Sequence, residues 1–292
     1  MPSSSPLTAL KNQLESQVKG FGVTGCSDCN GMGILYDPLV GGHKGGFRLC
    51  QCVEKQTKCD GNPPYDYYDT QKNAIVGCPT KPARLALTRI QHLTRNSGIP
   101  ERYRGRLIDS IDVSGRSSMN VLIALDHAVH TIYSAFQSQG PVRGLYLYGP
   151  TGAGKTLLSC VILNELIRLY QMDAHYAKIS RDIIGKLRDT FNPHSEAYGE
   201  GRRIEQKLGK HQALVIDDFG VHRDSPWVNS VLYDLIDTRY ENNLLTILTS
   251  NEPMDSWKDI SDGRVLSRLR EMCLEIHMDA EDYRLKDSRS LK

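Results

Sequence analysis

The 292-residue chain has no run of about 18 apolar residues of the kind that crosses a bilayer. Its first residues, Met1-Pro2-Ser3-Ser4-Ser5-Pro6, lack the apolar core of a signal peptide. Export and membrane insertion are therefore not expected, and the cytoplasm is the expected compartment. Net charge is almost absent too, +2 at pH 7. Any affinity for nucleic acid must then come from local patches rather than from the total. Internal repeats and low-complexity tracts are missing, which argues against a solenoid or a disordered array. What remains is globular in composition, 39% hydrophobic and 24% charged, and long enough for one large or two unequal domains. Eight cysteines without a secretion signal read as thiols or metal ligands before disulfides.

The chain changes character along its length. Leu7, Leu10, Leu14 and Val18 mark a short helix; residues 21–60 are glycine-rich and hold five cysteines. Residues 61–82, with four prolines and three tyrosines, read as a linker or irregular extension. Arg84–Arg95 and Val121–Phe136 read as helices. From Gly144 on, strands (145–148, 174–179, 214–216, 244–248, 274–276) alternate with helices (155–170, 181–191, 228–240, 264–272). Such alternation predicts an α/β fold with a parallel sheet covered by helices on both faces. The expected division is a cysteine-rich module at 1–80, a basic linker at 81–116 and the α/β domain at 117–292.

The most specific motif is Gly149-Pro150-Thr151-Gly152-Ala153-Gly154-Lys155-Thr156, between an apolar strand and a helix. Glycines at this spacing let backbone amides close around a polyphosphate, and the helix N-terminus adds its dipole. Lys155 is then the group for the β- and γ-phosphates, and Thr156 for Mg²⁺. A second apolar strand ends in Asp217 and Asp218, the first suited to Mg²⁺ and the second to the attacking water. A third delivers Thr249, Ser250 and Asn251 to the same sheet edge, where Asn251 can meet a γ-phosphate or water. Arg264 and Arg268, four apart on a short amphipathic helix, share an outward face from which an arginine could complete a neighbour's site.

Together with Asp282-Tyr283-Arg284, these segments resemble the AAA+ ATPases of the DnaC/DnaI helicase-loader and IstB group, over residues 96–285. Asn96–Tyr103 resembles the stretch that leads into the ATPase domain of those proteins. The resemblance implies an AAA+ P-loop NTPase fold, ATP hydrolysis, and self-association through the ATPase domain. It implies Asn251 as sensor 1, Arg268 as arginine finger and Arg284 as sensor 2. It further implies that ATP state governs attachment to a replicative DNA helicase and to single-stranded DNA, in a bacterial, phage or mobile-element protein. Asp218 stands where many AAA+ ATPases carry glutamate, so slow, switch-like hydrolysis is expected. An IstB-like regulator of transposition on duplex DNA is the rival within the same family.

Cys26-x-x-Cys29 and Cys50-x-Cys52 supply four thiolates, the number tetrahedral Zn²⁺ takes, with Gly31 and Gly33 to curl the chain around it. His43 could replace one thiolate, and Cys59 and Cys78 are weaker donors. A redox pair, or a chaperone whose cysteines are regulated by the ATPase domain, is the competing view. A zinc module ahead of such an ATPase resembles DnaI, which implies a helicase-contacting role. Two patches could meet nucleic acid. Residues 81–116 carry a net charge of +5 around Tyr103, and residues 186–210 include Lys186, Arg188, Phe191, Arg202, Arg203 and Lys207.

Overall fold

The structure is a computed structural model that describes residues 6–40, 43–111, 118–137, 143–185, 201–220, 226–258 and 260–279. The second half forms one parallel sheet. Its strands are β5 (Gly144–Tyr148), β6 (Ala174–Lys178), β7 (Ala213–Asp217), β8 (Leu245–Ser250) and β9 (Cys273–His277), in the order β6-β7-β8-β5-β9. Side chains alternate across a strand, and this sheet shows the consequence. Leu145, Leu147, Ala213, Val215, Leu245 and Ile247 enter one apolar cluster, while Tyr146, Leu214, Ile216 and Leu248 enter another. Both faces are buried, so these strands read as continuous apolar runs rather than as alternation.

Helices cover the two faces. On the first lie α4 (Ser118–Gln137) and α5 (Lys155–Tyr170); on the second lie α7 (Pro226–Glu241) and α8 (Arg264–Met272). Helix α6 (Gly201–Lys210) precedes β7. Helix α5 is apolar nearly all round and is buried along almost its whole length. The helix expected at 181–191 is instead a π-helix, Ile179–Gly185, and residues 186–200 lie outside the described residues.

The N-terminal portion begins with α1 (Pro6–Glu15), then an antiparallel hairpin of β1 (Ile34–Val40) and β2 (His43–Leu49), and the short α2 (Gln51–Glu54). The stretch expected as an irregular linker contains a second hairpin, β3 (Asp66–Asp69) and β4 (Ala74–Gly77). Tyr67 and Tyr68 face Val76 and Ile75 across it, and Asn73 turns in the left-handed region at φ +50°. These are β-forming residues around a turn former, and neighbouring prolines obscure the pattern.

Residues 81–111 are no free tether. Helix α3 (Lys81–Asn96) buries Ala83, Ala86 and Ile90, and Ile99, Ile108 and Ile111 follow it into the same cluster. That cluster also takes Leu7 and Leu14 of α1, Phe47 and Leu49 of β2, and Leu163 and Ile167 of α5. At its rim a buried ion triad forms. Arg168 donates to Glu15 at 3.0 Å and to Glu165 at 2.8 Å, so α1 is fastened to α5. Gly105 (φ +70°) lies against the Tyr36 ring, where a Cβ would come within 1.8 Å of it, and Tyr36 donates to the Arg104 carbonyl at 2.9 Å.

Candidate nucleotide site and cysteine cluster

The nucleotide loop joins β5 to α5 above the carboxyl ends of the strands, where open α/β sheets bind ligands. Three glycines there take positive φ, Gly152 at +88°. Gly149 has φ +142° and a Cβ on it would meet the Met278 carbonyl at 2.3 Å; Gly154 caps α5 in the left-handed region at φ +87°. Lys155, the first residue of α5, folds over the loop and donates to the Gly149 carbonyl (2.7 Å), the Pro150 carbonyl (2.8 Å) and Asn251 Oδ1 (3.1 Å). An ammonium on three oxygens is already placed where phosphate oxygens would compete for it. Pro150, Thr151, Gly152 and Ala153 complete the loop, with Ala153 buried.

Asp217 ends β7 as a buried carboxylate that accepts three hydroxyls. Thr156 (2.9 Å) and Thr249 (2.7 Å) donate to Oδ1, and Tyr176 (2.6 Å) donates to Oδ2. Thr156 and Asp217, the expected Mg²⁺ pair, are thus in direct contact. Asp218 takes the left-handed region at φ +59°, which aspartate tolerates, and its N–H donates to Thr249 Oγ1 at 3.0 Å. Its carboxylate pairs with Lys178 at 2.6 Å, both groups being partly open to solvent.

The fold therefore brings together Lys155, Thr156, Asp217, Asp218 and Asn251, as the motifs required. It adds Tyr176, Lys178 and Thr249. Thr249 lies inside the third motif. Tyr176 and Lys178 carry no motif signal; they join the site through the register of β6 on β7, Tyr176 opposite Val215 and Lys178 opposite Asp217. Burial, and next the charge of Asp217, push the Tyr176 hydroxyl far above its usual range, so it remains a donor.

Arg268 lies elsewhere. It is bonded to Asp237, donates to the Arg264 carbonyl at 3.3 Å, and sits over the Tyr233 and Tyr240 rings at 5.1 Å and 5.6 Å. None of these partners belongs to the nucleotide loop. Arg284 lies outside the described residues, as do Lys186, Arg188 and Phe191.

The four cysteines converge. Cys26 Sγ is 3.8 Å from Cys50 Sγ, Cys29 Sγ is 3.5 Å from Cys52 Sγ, and all four sulfurs lie within 4.8 Å of one another. Sulfurs at about 2.3 Å from a tetrahedral Zn²⁺ stand about 3.8 Å apart, so the cluster fits that ion. A tight turn shapes one half: Asn30 N–H donates to the Cys26 carbonyl and Met32 N–H to the Cys29 carbonyl, both at 2.8 Å. Gly33 permits this turn, since a Cβ there would meet Gly22 N at 2.6 Å; its carbonyl accepts Cys50 N–H at 2.9 Å, joining the halves. Backbone amides of Cys29 and Asp28 lower the Cys26 thiol to about 7, whereas burial raises Cys29 to about 12. Cys59 and Cys78 stand outside the cluster. Cys78 is buried against the Lys58 N–H (3.3 Å) and the Thr80 hydroxyl (3.2 Å). No described helix is long and apolar enough to cross a membrane.

Comparison with known proteins agrees with this geometry. The family model for IstB-like ATP binding proteins matches residues 136–291. The replicative helicase loader DnaI of Bacillus subtilis is 24% identical over 225 residues, 71% of this chain and 67% of that one. The loader DnaC of Escherichia coli K12 is 24% identical over 185 residues, 62% of this chain and 70% of that one. The crystal structure of a DnaC helicase loader superposes with a TM-score of 0.50 at 20% identity, over 62% of this chain and all of that one, and so shares the fold. With its nucleotide loop, its carboxylate-ended strand and its five-stranded parallel sheet, the chain belongs to the IstB-like ATP binding protein family.

Proposed function

We propose that the chain is an ATPase that loads a replicative DNA helicase onto single-stranded DNA, with ATP as a switch. The observation that carries this reading is a zinc-fitting four-sulfur cluster in the same chain as a nucleotide loop whose lysine and threonine meet Asn251 and Asp217. The match to the Bacillus loader supports it, being longer than the 136–291 interval and so reaching into the residues before it. Residues 1–80 are proposed as the helicase-contacting module, residues 81–116 as a basic surface for DNA, and residues 117–292 as the self-associating ATPase portion.

Lys155 exchanges its carbonyl partners for β- and γ-phosphate oxygens. Thr156 and Asp217 would hold Mg²⁺, which when bound would supply charge neutralisation on those oxygens. Asp218 leaves Lys178 to orient the attacking water, and Asn251, released by Lys155, reads the γ-phosphate. Arg268 serves at the border with a second copy, for which it must first leave Asp237, and Arg284 serves as sensor 2. A short carboxylate already held by a lysine makes turnover slow. Cys26, Cys29, Cys50 and Cys52 would hold Zn²⁺, which when bound would supply a cross-link beside the turn at Gly33.

The test is capture of a replicative helicase by the full chain in ATP and in ADP, followed by helicase transfer to single-stranded DNA. Wild type captures with ATP and releases after hydrolysis; Lys155→Ala does neither. A second reading rests on an insertion-sequence ATP-binding relative from Bacillus thuringiensis, 26% identical over 206 residues. Under it the chain prefers duplex DNA and ignores helicase, and that pair of results would replace the first reading.

A further inference from the structure

Asp217 Oδ2 lies on the side of the carboxylate away from Thr156 and has Tyr176 as its hydroxyl partner at 2.6 Å. Oδ1 carries both threonines. Tyr176 is itself held from behind. Its N–H donates to the Ser97 carbonyl at 2.7 Å, and its own carbonyl lies so close to Gly98 that a Cβ there would stand 2.5 Å away. The phenol oxygen is therefore placed by the turn at Ser97–Gly98 on one side and by β7 on the other. Both Tyr176 and Asp217 are only 3% exposed, so water cannot readily replace the phenol as donor.

We propose that Tyr176 is a positioning residue for the magnesium-binding carboxylate. Its O–H occupies Oδ2 and fixes the plane of Asp217, and with it the orientation in which the carboxylate would meet Thr156 and the cation. The proposal rests on the reading of this site as a Mg²⁺-nucleotide pocket. A tyrosine that merely filled the core would be replaced by phenylalanine at some cost in stability and none in metal dependence. Partners that orient a metal ligand act differently: they change metal affinity.

The experiment titrates a fluorescent ATP analogue into the full chain at Mg²⁺ concentrations from zero (with EDTA) upward, for wild type and Tyr176→Phe. Phenylalanine should raise the Mg²⁺ needed for half of the metal-dependent strengthening about ten- to a hundredfold, and leave metal-free affinity within about twofold. In an Asp217→Asn background the same substitution should add nothing further. Replacing Tyr176 with 3-fluorotyrosine keeps the shape of the core and strengthens the donor, so it should shift the Mg²⁺ midpoint even if the phenylalanine variant does not fold. An unchanged midpoint in the folded variants overturns the inference, whatever happens to the melting temperature. A wild type that binds nucleotide with no help from Mg²⁺ overturns the underlying site reading instead, and the two failures are distinct.

Discussion

At the scale of single residues, Arg239 is a buried charge with a structural task. It is fully buried and held by a hydroxyl and three carbonyls: it donates to Thr246 Oγ1 (2.9 Å) and to the carbonyls of Leu208 (3.2 Å), His211 (2.9 Å) and Leu245 (2.6 Å). Burial lowers its pKa to about 9, which leaves it charged at neutral pH. Its planar fork ties the end of α6 to the starts of β7 and β8, a task one ammonium cannot share out. Arg239→Met strands three carbonyls and should cost about 3 kcal/mol or more in chemical unfolding; a loss under about 1 kcal/mol would show that the carbonyls find other donors. A pH effect belongs to Asp173, which accepts from His211 Nδ1 at 3.0 Å. The His211 hydrogen bond holds this carboxyl below its usual range. Its folded pKa is thus depressed, so its contribution is complete above the ordinary aspartate pKa and fades as pH falls through the lower folded value. Asp173→Asn should destabilise the protein at pH 7 and make no difference in acid below both values; a deficit that persists in acid would refute the linkage.

At the scale of elements, β6 is the informative strand. Tyr176 and Lys178, two apart on one face, each engage one of the paired carboxylates. Lys178 and Asp218 are 40% and 38% exposed, and ion pairs so open are worth about 1 kcal/mol or less. Lys178→Met should therefore raise basal ATP turnover by up to about fivefold with little change in KM. A fall in turnover would mean that Lys178 helps the reaction rather than restrains Asp218. This strand also marks the limit of reading from residues alone. The bounds of α5 and α8 were legible because loop glycines and amphipathic spacing are local signals. Lys155, Thr156, Asp217, Asp218 and Asn251 were legible because chemistry of that kind recurs at fixed spacings. Tyr176 was not, because its role exists only once β6 is laid beside β7. The β3–β4 hairpin was missed for a similar reason: its Tyr68–Ile75 pairing is a cross-strand fact between proline-rich flanks.

At the scale of the molecule, the boundaries in the sequence are not boundaries in packing. Composition marks residues 1–80 off sharply, yet Leu14, Phe47 and Val53 share one apolar cluster with Ile90, Leu163 and Ile167. Glu15 reaches across that cluster to Arg168, whose charge burial opposes but Glu165 and Glu15 together favour. Cutting the chain near residue 80 would open this core and leave Arg168 with one carboxylate, so point substitutions are the sounder probe. Glu15→Gln keeps the shape and weakens one charged hydrogen bond, and should cost about 1–3 kcal/mol. If the cluster transmits stability as it is packed, thermal unfolding is one transition. If zinc occupies the proposed cluster, removing it with a chelator, like substituting Glu15, should then move that same transition downward, and adding ATP with Mg²⁺ should move it upward. Calorimetry with and without chelator checks this. Two separate transitions, with nucleotide moving one and chelator the other, would mean that the cysteine module and the nucleotide-binding portion fold independently despite their shared core.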